Sequence, residues 1–144
     1  MLVGLQFGLL ALLAVKPDGA LLIADYDLRI FSMASMALGL AILLVAFINL
    51  RPSLRVSPIP IPGAPLITVG IYKYFRHPMY LGVLLVGASI ATQNLDVMSL
   101  ISWLALFTVL SVKAAMEDSL LRIAHPHAAD YQQRVPGLVW LRNA

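Results

Sequence analysis

The stretch Thr68 to Gly82, TVGIYKYFRHPMYLG, sets Lys73, Arg76, His77, Pro78 and three tyrosines against the start of a long apolar run. Charged and aromatic side chains at the mouth of a membrane span serve one of two ends. They anchor a helix at the headgroup level, or they line a reaction centre at the bilayer edge. Pro78 suits the first turn of a helix, where its missing N–H costs nothing. The stretch therefore predicts a polar rim leading into a membrane span over about residues 75–92.

Working outward, Gln93 to Asp96 make a short polar turn, and residues 97–116 form a further span, so the two spans make a tight antiparallel hairpin. The remainder, 117–144, turns polar and amphipathic; it reads as a helical tail interrupted near Pro126 and ending at Val135-Pro136-Gly137. On the other side of the signature, residues 51–67 carry Pro52, Pro58, Pro60, Pro62 and Pro65. Proline at that density forbids a regular helix and favours an extended path along the membrane surface. Residues 28–50 are long enough to cross with some tilt, and Ser35, Gly39 and Ala41 offer a face on which another helix could approach closely. Residues 1–15 reach only about 22 Å as a helix, short of a hydrocarbon core of roughly 30 Å. They read as a thin first span, broken by Lys16, Pro17, Asp18 and Gly19. The fold expectation is thus a single all-α integral membrane domain over 1–144, with about four transmembrane helices and a cytoplasmic C-terminal helical tail.

Composition supports that class. The chain is 60% hydrophobic and only 12% charged, where soluble domains carry about a quarter charged residues. It has no cysteine, which excludes a disulfide framework, a thiolate nucleophile and a Cys-ligated metal. No basic run interleaved with aromatics points to nucleic acid. His125 and His127 lack a nearby third ligand, so no metal site is expected. If the Pro-rich loop and the C-terminus share a side, that side holds Arg51, Arg55, Lys73, Arg76, Lys113, Arg122, Arg134 and Arg142. The other keeps only Lys16 and Arg29, beside Asp18, Asp25, Asp27 and Asp96. The positive-inside rule then places both termini and the signature in the cytoplasm. No ionisable residue falls deep in an expected span, which disfavours a simple transporter.

Gly70-Ile71-Tyr72 followed by Arg76-His77-Pro78-Met79-Tyr80-Leu81-Gly82 resembles the signature of the isoprenylcysteine carboxyl methyltransferase family and its phospholipid N-methyltransferase relatives. The resemblance covers roughly Thr68 to Pro136. It implies an integral-membrane enzyme using S-adenosylmethionine, set in a bacterial or archaeal plasma membrane, with a membrane lipid or lipidated substrate as acceptor. It further implies that His77 lies in the cofactor pocket with Pro78, Leu81 and Tyr80. A Glu-Glu pair of the family belongs to the same pocket. Counted back from Tyr131 and Val135-Pro136, which are similar to the family's closing Tyr and Val-Pro, that pair falls on Met116-Glu117; without that constraint it falls on Glu117-Asp118. Glu117 is common to both. The tail departs from the family at Ala124-His125 and Ala128, where a Phe-Gly and a further Tyr are usual.

Methyl transfer from a sulfonium is an in-line displacement, so the protein mainly holds donor and acceptor at near-attack distance and excludes water. Glu117 is the candidate anion for the cofactor's ammonium group. Arg76 is either a rim anchor or a fork able to bind a carboxylate. A carboxylate acceptor needs no base; an amine would call on His77 or Glu117. Tyr72 and Tyr80 offer π faces to a cation, and Gly70 and Gly82 would allow close backbone approach. The competing readings are a scaffold or small-molecule transporter that keeps the fold, and a nicotinamide-dependent membrane reductase, a class of much longer chains.

Overall fold

A computed structural model of the protein describes residues 2–15, 26–50 and 66–138. The Pro-rich path expected up to 65, the break at 16–19 and the end of the tail beyond Leu138 lie outside the described residues. The chain's regular elements, among the described residues, are all helices. The elements are α1 (Leu2–Ala14), α2 (Tyr26–Leu50), a 3-10 turn (Gly70–Lys73), α3 (Pro78–Asn94), α4 (Val97–Ala124) and α5 (Ala128–Arg134).

Among the described residues, two helices are long and apolar enough to cross a membrane: α2, of 25 residues, and α4, of 28. Their outer faces carry large apolar side chains in the open, among them Met33, Leu44 and Ile101, as a lipid-facing surface requires. α1 and α3 are shorter, at 13 and 17 residues. The fourth expected span does not stop at Met116. α4 continues without a break to Ala124, so Glu117 and Asp118 lie within a helix and not at its end.

α2 packs most extensively on α3, and α1 on α4. The α2–α3 seam is built from small residues. A Cβ on Gly39 would lie 2.9 Å from the Gly82 carbonyl, and a Cβ on Gly82 would lie 2.9 Å from the Gly39 carbonyl. Three serines tie the same seam: Ser32 Oγ lies 3.0 Å from Ser89 Oγ, and Ser35 donates to the Leu85 carbonyl at 2.8 Å. In lipid, where apolar surface gains nothing by leaving tails, such close packing and interhelical hydrogen bonds drive association. The small face read from Ser35 and Gly39 is therefore a helix interface.

The far end of the bundle is closed by polar contacts. Asp96 caps α4, accepting from the Ser99 N–H at 2.9 Å. Leu95 takes the left-handed conformation (φ 49°) that so tight a turn demands. Asn94 donates to the Leu13 carbonyl at 3.2 Å and so fastens the end of α1 to this turn. Between the ends, Leu13, Leu84, Leu106 and Leu110 form the core. The chain therefore runs up and down, placing the start of α1, the end of α2, the start of α3 and the later part of α4 at one rim.

Candidate active site

Pro78 decides the local geometry of the signature. It occupies the first turn of α3, and the residue before a proline is pushed out of the helical region; His77 accordingly sits at the N-cap with φ −124° and ψ 58°. Its ring makes no cap hydrogen bond. It turns instead to α4, where two adjacent carboxylates receive it. His77 Nε2 lies 3.0 Å from Asp118 Oδ1, and Nδ1 lies 3.5 Å from Glu117 Oε2. Arg76 reaches the other oxygen of Asp118, its Nη1 donating to Oδ2 at 2.6 Å. The Tyr80 hydroxyl donates to Glu117 Oε2 at 3.1 Å. The Tyr80 ring stacks on His77 with centroids 5.5 Å apart.

Burial alone would lower the pKa of His77, but the hydrogen bonds and charges of Asp118 and Glu117 outweigh it and raise the value above that of free histidine. A carboxylate at each ring nitrogen favours the imidazolium. In that form His77 orders two anions and has no free ring nitrogen with which to take a proton. Asp118 is saturated by Arg76 and His77. Glu117 differs: its side chain keeps 32% of its surface exposed, next to the cavity it lines.

That cavity has a volume of about 330 Å³, within the range of small-molecule sites. Its polar lining is Gln6, Tyr72, Arg76, His77, Tyr80, Lys113 and Glu117; Pro78 of α3 and Phe7, Leu10, Phe47 and Leu50 from α1 and α2 are among its apolar lining. The C-terminal segment closes over the cluster from behind. Tyr131 on α5 donates to the Tyr72 carbonyl at 2.6 Å, the Arg76 N–H donates to the Pro136 carbonyl at 3.1 Å, and Gln132 donates to the Asp118 carbonyl at 2.8 Å. Burial raises the Tyr72 phenol and pushes Tyr131 up to about 12, so both stay neutral donors.

Of the residues singled out from sequence, Arg76, His77, Tyr80 and Glu117 meet in one cluster, with Tyr72 and Pro78 on the same cavity wall. Gly82 does not face the cavity; it is spent on the α2 crossing. Leu81 lines a separate small hollow with Phe75 and Leu138. Gly70 has φ +62°, and a Cβ there would collide with the Asn49 side chain, so its role is to bring the 3-10 turn against the end of α2. Glu117 and Asp118 both join the cluster at His77, whereas Met116 is 43% exposed. Two polar lining residues, Lys113 and Gln6, are not singled out by the sequence: Lys113 reads as part of the positive rim, and Gln6 carries no signal in an apolar helix.

The bundle, the two lipid-length helices and the rim cluster define an integral membrane protein with a polar site at one end. Residues 30–123 match the isoprenylcysteine carboxyl methyltransferase (ICMT) family. That is more than half of the chain, and the chain belongs to this family of membrane methyltransferases. No curated protein and no solved structure matches it.

Proposed function

We propose that the protein transfers a methyl group from S-adenosylmethionine to an amphiphilic acceptor that enters from the bilayer. The observation that carries this reading is the placement of Glu117. It is a partly exposed carboxylate, held by Tyr80 and His77 at the wall of a cavity that also has apolar lining from α1 and α2. The residues fit the cofactor. Glu117 would hold its ammonium. Arg76, whose Nε is buried with no hydrogen-bond partner among the described residues, would hold its carboxylate. Tyr72 and Tyr80 would flank its rings and its positive sulfur. When bound, the cofactor supplies an electrophilic methyl carbon: the acceptor atom bonds to it as the carbon–sulfur bond breaks, and that electron pair stays on sulfur. The chain's own part is to orient, to exclude water and to keep His77 charged, so that Glu117 is aimed at the cavity.

In this reading α1 and α3 cross the membrane with α2 and α4, giving four spans. The 17 residues of α3 reach roughly 26 Å, which local thinning of the bilayer accommodates. The site end carries Lys73, Arg76, Arg122 and Arg134, and the positive-inside rule puts it and α5 in the cytoplasm, where the cofactor is available. A transporter would need a polar path along the bundle, whereas Ser32, Ser35 and Ser89 are engaged in the α2–α3 seam.

The test is transfer of radiolabelled methyl groups from S-adenosylmethionine to N-acetyl-S-farnesylcysteine and to phosphatidylethanolamine in nanodiscs. Label that becomes volatile on alkaline treatment marks a methyl ester; base-stable label marks an N-methyl product. No transfer to either, nor to a total lipid extract, would contradict the reading.

A further inference from the structure

The end of the bundle remote from Glu117 carries a second cavity, of about 470 Å³, which the proposed reaction leaves unused. It lies where α2 begins and α3 turns into α4, about 30 Å from Glu117 along α4. Ala88 and Ala91 of α3 line it with small side chains, Leu100 and Trp103 line it from α4, and Leu28 reaches it from α2. The Trp103 indole N–H donates to the Leu84 carbonyl at 2.9 Å, so the ring is held in place with its polar atom satisfied. Two polar residues complete the lining, Thr92 and Asp96. The Thr92 hydroxyl is engaged by the Ala88 carbonyl at 2.8 Å.

Among the described residues that line this cavity, Asp96 alone is charged. Its carboxylate accepts from the Ser99 hydroxyl at 2.6 Å and from the Ser99 N–H at 2.9 Å. These bonds, aided by the Met98 N–H, hold its pKa below the usual carboxylate range, and no described cation contributes. Amides and a hydroxyl order the carboxylate without cancelling its charge. The ion pairs among the described residues all belong to the cluster at the other end. α4 is of membrane-crossing length and starts at Val97, so Asp96 stands at the headgroup level and the apolar lining runs inward from it. We infer that this cavity is a lipid site: an acyl chain fills its apolar part, and Asp96 holds a primary ammonium head, as in phosphatidylethanolamine. Such a head brings three N–H donors to the carboxylate, where a trimethylammonium head brings none and a glycerol head brings no positive charge. The lipid bridges α2 and the α3–α4 turn, and it lies too far from Glu117 to be a methyl acceptor. The inference rests on α4 crossing the bilayer and is independent of the methyl-transfer reading.

Trp103 serves as the reporter, because the chain holds only one other tryptophan, Trp140. The test takes the full chain carrying Trp140→Phe in phosphatidylcholine vesicles and reads the quenching of Trp103 by dibrominated phosphatidylethanolamine, phosphatidylcholine and phosphatidylglycerol in turn. The ethanolamine lipid should bind about threefold more tightly than the choline lipid, as for an ion pair at an exposed position, with the glycerol lipid weakest. Asp96→Asn keeps a side chain that caps a helix equally well, so the circular dichroism should be unchanged while the preference for the ethanolamine head is lost. Ala88→Leu fills the apolar part with Asp96 intact and should remove the same preference. A Trp140→Phe chain that binds the three lipids alike overturns the inference, and so does a preference that survives Asp96→Asn. A preference that survives Ala88→Leu makes Asp96 an ordinary surface charge and overturns the lipid site.

Discussion

The two long seams of the bundle are built on opposite principles. Between α2 and α3, glycine meets backbone and serine meets serine, and the gap is closed to van der Waals contact. At the rim, between α1 and α4, a lysine meets a glutamine across 2.7 Å, beside a cavity of about 330 Å³. The closed seam fixes where α3 begins, and with it the position of Arg76, His77 and Tyr80. The open seam leaves room for a ligand. Rigid support on one side and space on the other is what a site that must hold two reactants in line requires.

The comparison can be broken at the junction of the two seams, where the largest effect is expected. Asp118→Ala would leave the buried Arg76 without its anion and His77 with Glu117 alone. Removing one partner of a buried pair costs about 3–5 kcal/mol, so melting in detergent should show a large drop in Tm. The next effect lies in the closed seam. Gly82→Val drives a branched side chain into Leu43 and the Gly39 carbonyl, and overpacking of this kind costs about 1–3 kcal/mol. A loss confined to cofactor affinity, with Tm unchanged, would show that Gly82 serves the site and not the crossing. Ser35→Ala in the same seam should cost only about 0.6 kcal/mol, as interhelical hydrogen bonds in membranes do.

The smallest effect is the pH dependence carried by His77. Its pKa is raised in the folded state, so its stabilising contribution is complete below the unfolded value of about 6.5 and is lost as pH rises through the folded value. The Tm should therefore fall as pH rises above about 6.5, and His77→Gln should remove that slope. An equal slope in both proteins would assign it to other groups.

Much of this was legible in the sequence, for reasons that differ by residue. α2 and α4 announce themselves through length and apolarity, and the start of α3 through Pro78. Spacing alone gave a polar rim; Arg76, His77, Tyr80 and Glu117 were legible as a site through the resemblance of their stretch to the family signature. Asp118 stays open in the sequence because the count back from Tyr131 and Val135-Pro136 puts the pair on Met116-Glu117; in the fold, the two ring nitrogens of His77 bring Glu117 and Asp118 to one cluster. The inward turn of Lys113 is not legible in the sequence, for a physical reason. Near a span end the default is to snorkel, and its inward turn depends on Gln6, a partner 107 positions away. Gly82 reads equally well as a ligand contact or a helix crossing, and the side it serves is set by α2.

The central claim is that the Arg76–His77–Tyr80–Glu117–Asp118 cluster is a cofactor site. It is tested most directly by calorimetric titration of the purified protein with S-adenosylhomocysteine, alongside Glu117→Ala and His77→Ala. The account predicts saturable binding by the wild type that both substitutions abolish while the proteins remain folded by circular dichroism. A folded wild type with no saturable binding, or affinity untouched by either substitution, would contradict it.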